Sequence, residues 1–349
     1  MVRKLVLSCA TLLLALLAAE LVVRFVQPQA ASWLAIYRTH PELPIYAVDV
    51  DLDNFVDTGE SAWTIYSDGE GHRSAAPESR RRAPAGGRVL VMGDSFTFGN
   101  GVDHEQTFVG LLDAAGGGEP AFMNCGVPGY GPRQYLMLLE HRFADGPLPR
   151  AVLLAPYLGN DFQDTLWDKP VDPHAGKTTG RVRLRDHVKR NSHFYRLASK
   201  AWHRLRPSRQ DRVARELFSI AAWKEPFLSR AGVHFGETMA AIVELCSSHA
   251  VPLTICILPP EHTVRDEASA DPNHDPALPV TRARALLAGL EVEVLDPTTA
   301  LRAVGADRAF WPLDGHLTPA GHSAVADALA PLLATLGLGG GAAQSSPPR

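Results

Sequence analysis

Apolar and polar positions follow two rhythms along this chain. Near the N-terminus there is no polar face: Leu5 to Ala19 is an uncharged, mainly apolar run, and it continues to Val26 with Glu20 and Arg24 its only charged residues. The 22 residues from Leu5 to Val26 would reach about 33 Å as a helix, enough for a hydrocarbon core of roughly 30 Å. From residue 88 the rhythm changes. Short apolar runs at 88–93, 121–127, 151–159, 252–260 and 291–297 alternate with segments at 107–115, 132–143, 237–250, 281–290 and 318–337, whose apolar residues recur at helical spacing. Buried strands alternating with amphipathic helices predict an α/β domain, a doubly wound, five-stranded parallel sheet covered on both faces. In such a sheet ligands sit beyond the carboxyl ends of the strands.

The remaining segments set the organisation. Residues 1–26 are expected to form a signal anchor or transmembrane helix. Residues 27–86 are expected to be a juxtamembrane region and linker, ending in the basic, Pro/Gly-rich "SRRRAPAGG" at 79–87. The main domain is expected over 87–336, with an insertion at about 162–236 rich in Arg, Lys, His and aromatics. That insertion fits a substrate cap, a basic surface towards anionic lipid or polysaccharide, or a plain solvated helical segment. Residues 337–349 have the composition of a disordered tail. The alternating Asp49, Asp51 and Asp53 lack the glycine and terminal glutamate of a calcium loop and read as a solvated strand face.

Charge and cysteines narrow the classes. The chain has 34 Lys+Arg against 38 Asp+Glu in 349 residues, so no global charge excess points to nucleic acid. Its four cysteines, Cys9, Cys125, Cys246 and Cys256, show neither a CxxC nor zinc spacing. Buried thiols are the expectation, with a Cys246–Cys256 bridge as the alternative. Arg3 and Lys4 ahead of the apolar run orient its N-terminus to the cytoplasm. Arg24 can snorkel to the outer interface, and Glu20 is costly unless it lies there too. A cleaved signal peptide is the rival reading, but no small-x-small cleavage site follows the run. Both readings put the rest of the chain outside the cytoplasm: a single-pass inner-membrane protein with an extracytoplasmic domain, or a secreted one if the segment is cleaved.

The strand ends carry the candidate chemistry. The first predicted strand ends in Gly93-Asp94-Ser95 and the second in "NCGVPGYG", 124–131. The third ends in Gly159-Asn160-Asp161, and "WPLDGHLTPAGH" at 311–322 follows the fifth. A serine hydroxyl needs an adjacent base to become a nucleophile. His316 can supply it, and Asp314 can hold the imidazole tautomer. A tetrahedral oxyanion needs preorganised donors. Candidates are the N–H groups of Ser95 and Gly129 and the Asn160 side-chain amide. The bland readings are Ser95 as a helix N-cap, Asn160 as a turn former, and His316 as a surface histidine. His322 competes as the base but lies inside the last helical pattern. Asp94 and Asp161 are expected to anchor turns. Asp314, His316 and His322 lack a metal motif, and neither a metal nor a cofactor is expected.

In order, "GDSFTFG", the turn from Asn124 to Gly129, "GND" and "DGHLTPAGH" resemble the four motif blocks of the SGNH/GDSL hydrolase superfamily over roughly residues 88–335. The resemblance implies a flavodoxin-like three-layer α/β/α sandwich. It also implies a Ser95–His316–Asp314 triad, and an oxyanion hole from the Ser95 N–H, the Gly129 N–H and the Asn160 amide. Within the second block, Gly129 fits the family spacing better than Gly126. One departure stands out: a single residue, Gly315, separates Asp314 from His316, where the commoner pattern has two. The expected function is an extracytoplasmic serine ester hydrolase of esterase or deacetylase type working through an acyl-serine, acting on an ester such as an acylated glycan or lipid. An O-acyltransferase to a polysaccharide hydroxyl is the alternative. A non-catalytic carbohydrate-binding or scaffold protein is the rival from another class.

Overall fold

The computed structural model describes residues 2–27, 29, 36–76, 87–116, 121–166, 188, 192–205, 216–266 and 271–338. In chain order the N-terminal part comprises α1 (Val2–Val26), β1 (Tyr37–Thr39), β2 (Tyr46–Val48), β3 (Asp53–Asp57), β4 (Ala62–Ser67) and β5 (Arg73–Ser74). The alternation then runs β6 (Val89–Gly93), α2 (Ser95–Phe98), α3 (Phe108–Ala115), β7 (Phe122–Asn124), α4 (Pro132–Asp145), β8 (Ala151–Ala155) and α5 (Asp161–Asp164). It continues with α6 (His193–Leu205), α7 (Pro226–Ser248), β9 (Leu253–Cys256), α8 (Glu261–Arg265), α9 (Leu278–Leu287) and β10 (Glu293–Leu295). The last elements are α10 (Thr298–Val304), α11 (Ala306–Ala309) and α12 (Pro319–Thr335).

The five expected parallel strands are present, in the order β10-β9-β8-β6-β7. Every residue of β6 and β8 is buried, as continuous apolar runs require when helices cover both faces. Alternate side chains feed two separate cores. Leu90, Met92, Val152 and Leu154 join α4, α7 and α9 on one face. Val89, Val91, Leu153 and Ala155 join α3, α10, α11 and α12 on the other. This is the three-layer α/β/α sandwich. Chain order reverses at β6, which pairs with β7 on one side and β8 on the other. The crevice at such a switch point opens where β6 ends, directly at Ser95.

The sheet is wider than expected. β5, β4 and β3 continue it antiparallel beyond β7, giving eight strands, while β1 and β2 form a separate hairpin. Within the stretch 27–86, residues 53–74 are thus part of the sheet. Of the three acidic residues read as one strand face, only Asp53 is on a strand; Asp49 and Asp51 belong to the connection before it. The basic stretch at 79–87 falls almost wholly outside the described residues, as do much of the 162–236 insertion and residues 339–349 of the tail.

Helix α1 is long and apolar enough to cross a membrane, and its span Val6–Val26 is exposed. Glu20 has a specific partner in it. Its carboxylate accepts the Ser192 hydroxyl at 2.7 Å and the backbone N–H groups of His193 and Phe194 at 3.1 and 2.9 Å. It also pairs with Arg24 at 2.8 Å. The polar interruption of the apolar run thus caps the first turn of α6, satisfying donors that a helix start leaves open. All four cysteines are free: Cys125, Cys246 and Cys256 are buried and Cys9 is exposed.

Candidate active site

The chain leaves β6 at Gly93 and turns at once into α2. Asp94 is its N-cap, with its carboxylate accepting the Phe96 N–H at 2.9 Å. Capping therefore falls to Asp94, and the Ser95 hydroxyl is left for another partner. That partner is His316. The Ser95 hydroxyl lies 2.8 Å from His316 Nε2, and His316 Nδ1 lies 2.7 Å from Asp314 Oδ2. A carboxylate can only accept, so Nδ1 carries the proton and Nε2 is the acceptor facing Ser95. Residues 221 positions apart in the chain thus form one continuous relay. α2 has only four residues, so the macrodipole expected from a helix headed by Ser95 is small.

The single-residue spacing between Asp314 and His316 is accommodated by Gly315, whose φ is +75°. That left-handed conformation folds the chain back so that both side chains meet. The Trp311 N–H donates to the His316 carbonyl and the Gly315 N–H to the Trp311 carbonyl, each at 2.8 Å. The loop has a further support from β3–β4: the Glu60 carboxylate accepts the Leu313 and Asp314 N–H groups at 2.8 and 2.9 Å.

Electrostatics follow from this packing. Burial works against charging His316, but the Asp314 hydrogen bond and charge, with the Asp94 charge, raise its pKa above the ordinary imidazole value. Burial pushes Asp314 up, and the His316 hydrogen bond and charge outweigh it and hold the carboxyl below its ordinary value. Asp94 is buried and shifted upward by that burial. His322 does not compete for the serine. It is 1% exposed and its Nδ1 accepts the Phe108 N–H at 3.2 Å, while its ring stacks on Phe108 at 5.8 Å. Burial first, then the Arg73 and His316 charges, lower its pKa to about 3.

The expected oxyanion donors are distributed as follows. Gly129 lies in the turn Val127–Tyr130, with φ +84°. Asn160 follows β8, and its side-chain N–H groups donate to Asp164 at 3.1 Å and, more weakly, to Asp94 at 3.4 Å. Asn160 is therefore beside the residue preceding Ser95, with its amide turned to two carboxylates. Gly126 instead packs on α2: a Cβ there would stand 2.4 Å from the Phe98 nitrogen. Asp161 holds the third-strand loop, accepting the Tyr157 N–H at 3.1 Å and the Tyr135 hydroxyl at 3.2 Å.

Sequence reasoning missed the aromatic floor of the site. Phe96 stacks on Tyr157 with centroids 3.7 Å apart and tilts against the His316 ring at 4.9 Å. It also missed Arg73, 2% exposed, whose guanidinium donates to the carbonyls of Phe98, Gly99 and Val102 just after α2. An isolated Arg in a segment read as a linker carries no signal for this. Nor did the sequence point to Glu60 or to Tyr37 and Tyr46, whose hydroxyls donate to the Pro128 carbonyl.

No family model and no curated protein matches the chain. Solved structures do. A member of the lipolytic protein G-D-S-L family from Veillonella parvula is 12% identical with a TM-score of 0.40, covering 71% of this chain and 98% of its own. The lipase/acylhydrolase from Enterococcus faecalis is 16% identical with a TM-score of 0.39, over 70% and 95%. An acetylxylan esterase from Geobacillus stearothermophilus, in a catalytic mutant, is 13% identical with a TM-score of 0.38, over 74% and 97%. Likeness at this level carries no functional argument; the hydrogen-bonded relay at the switch point of the sheet does.

Proposed function

We propose that the chain is an SGNH-type serine ester hydrolase. The observation that carries this is the unbroken line from Ser95 through His316 to Asp314, at 2.8 and 2.7 Å. A binding or scaffold protein has no use for a serine hydroxyl aimed at an acceptor imidazole that a carboxylate orients.

In this reading Ser95 Oγ attacks the ester carbonyl carbon while His316 Nε2 takes the hydroxyl proton. The resulting oxyanion is held by the N–H groups of Ser95 and Gly129 and by one Asn160 N–H, released from its long bond to Asp94. Collapse expels the alcohol, which takes the proton from His316 and leaves an acyl-Ser95. Water, deprotonated by His316, then attacks the acyl carbon; collapse releases the acid and returns the proton to Ser95. Asp314 stays ionised throughout and stabilises the imidazolium. α1 spans the membrane with Arg3 and Lys4 on the cytoplasmic side, placing the site outside the cytoplasm near acylated glycans or lipids.

The test is p-nitrophenyl acetate hydrolysis by the full chain in dodecyl maltoside. Ser95→Ala is expected to remove turnover, by about 10³-fold or more, with the melting temperature within a few degrees. Folded wild-type protein that releases no p-nitrophenol, or a Ser95→Ala variant as active as wild type, sinks the proposal. Capture of the acetyl group by an added sugar in place of water would change the acceptor and leave the nucleophile in place.

A further inference from the structure

The turn Val127–Tyr130 closes with the Tyr130 N–H donating to the Val127 carbonyl at 3.0 Å. Its central residues are Pro128 and Gly129, and Gly129 has φ +84°, the signature of a type II turn. Types I and II differ in which way the central peptide faces, here the peptide joining Pro128 to Gly129. Two phenols hold that peptide. The Tyr37 and Tyr46 hydroxyls donate to the Pro128 carbonyl oxygen at 3.1 and 3.0 Å. The bond is trans, so its C=O and N–H point in opposite directions within one plane. Fixing the oxygen fixes the line of the Gly129 N–H. Donation to the oxygen also draws electron density from the nitrogen, which strengthens the N–H as a donor.

We propose that Tyr37 and Tyr46 are positioning residues of the oxyanion hole, setting the direction and polarity of the Gly129 N–H through the Pro128 carbonyl. This rests on the serine hydrolase reading above. The two tyrosines come from β1 and β2, so the hairpin following the apolar helix would act on the reaction through one backbone peptide. Their own positions are secured. Tyr46 meets Tyr37 and Tyr130 edge-on, with centroids 5.0 and 5.1 Å apart, and the Tyr130 hydroxyl donates to the Tyr46 carbonyl. Burial raises both phenols above their ordinary pKa, so both stay protonated donors through the working range. The Tyr46 hydroxyl also faces Gly129 directly: a Cβ on that residue would lie 2.7 Å from it. Glycine is thus required both for the turn and for the phenol to approach.

The experiment compares Tyr37→Phe, Tyr46→Phe and the double variant with wild type and Ser95→Ala, as full chains in dodecyl maltoside. Each single variant is expected to lower kcat on p-nitrophenyl acetate about tenfold and the double at most about a hundredfold, the lower end of the roughly 10²–10³-fold lost when an oxyanion donor is removed outright. KM should stay within about twofold, because the polarised N–H acts on the transition state and not on the bound ester. The rate at which a p-nitrophenyl phosphonate inactivates Ser95 should fall in parallel. Wild-type kcat in folded Phe variants, with Ser95-dependent turnover intact, overturns the tyrosine assignment and leaves the hydrolase reading standing. A rise in KM with kcat unchanged overturns it too. Absence of Ser95-dependent turnover in wild type overturns both. If the double variant does not fold, the single variants decide.

Discussion

In the proposed mechanism His316 has to be uncharged to take a proton from Ser95, and its neighbours favour the opposite state. Burial disfavours the imidazolium, yet the Asp314 bond and the Asp314 and Asp94 charges leave the pKa raised. The protonated form is inactive, so kcat/KM is expected to rise with pH through a midpoint above the ordinary imidazole value of about 6.5. Asp314→Asn should move that midpoint down and lower kcat by about 10³-fold or more, because the tautomer is no longer enforced. A pH–rate profile for the two proteins checks this, and an unchanged midpoint would separate Asp314 from the titration. Gly315 shows why the short spacing works. Its φ of +75° is a left-handed conformation that glycine adopts without strain, and Asp314 and His316 meet across it. The spacing was visible in the sequence as a departure; the backbone conformation that resolves it was not.

Among the elements, the N-terminal strands carry functions that their sequence concealed. Three of the four loops at the candidate site are held from this side: the Ser95 helix end by Arg73, the Asp314–His316 loop by Glu60, and the Gly129 turn by Tyr37 and Tyr46. Glu60→Ala leaves two backbone N–H groups without their carboxylate. The expected result is a loss of about 1–2 kcal/mol in stability and a kcat/KM roughly tenfold lower, with Glu60→Gln in between. Urea unfolding and steady-state kinetics separate the two effects. Arg73 is a different case. Its charge is buried against carbonyls, over the Phe98 ring at 4.8 Å, and burial lowers its pKa to about 9. Arg73→Met strips partners from three carbonyls at once and is expected to cost about 3–5 kcal/mol, read from the urea midpoint. A loss under about 1 kcal/mol would show that water replaces the guanidinium.

For the molecule as a whole, two histidines impose opposite pH trends on stability. His322 has a folded pKa near 3 against an unfolded value of about 6.5. Its contribution is full above about 6.5 and is lost as pH falls towards 3, because the unfolded chain binds a proton that the native state refuses. His72 is the reverse. Burial opposes its charge, but Cys125 and Asp68 raise its pKa to about 10. Its contribution is full below about 6.5 and is lost as pH rises towards 10. His322→Gln is therefore expected to flatten the decline in unfolding free energy between pH 6.5 and 4, followed by urea titrations at several pH values. A slope equal to wild type would mean that His322 charges within the folded protein.

Much of this molecule is legible in its sequence. Periodicity alone marks the five parallel strands and their covering helices, since a strand buried on both faces must be apolar throughout and a covering helix on one side only. Ser95 stands out in the sequence because it directly follows β6, where the fold opens its crevice, whereas Asp314 and His316 follow β10 only after α10 and α11. Local rules could not show that residues 53–74 add three antiparallel strands to the far edge. β3 is short and solvent-facing, with only Val56 buried among its five residues, so its pattern does not say which sheet it joins. The sequence by itself determined the scaffold, a parallel sheet covered by helices, and which nucleophilic, basic and acidic groups it carries. The tertiary structure decided which atoms meet: Ser95 with His316 across 221 positions, Glu60 with the acid–base loop, and two phenols with one peptide carbonyl. Such meetings depend on the register of distant strands and the turn of single peptides, quantities that no local pattern of residues encodes.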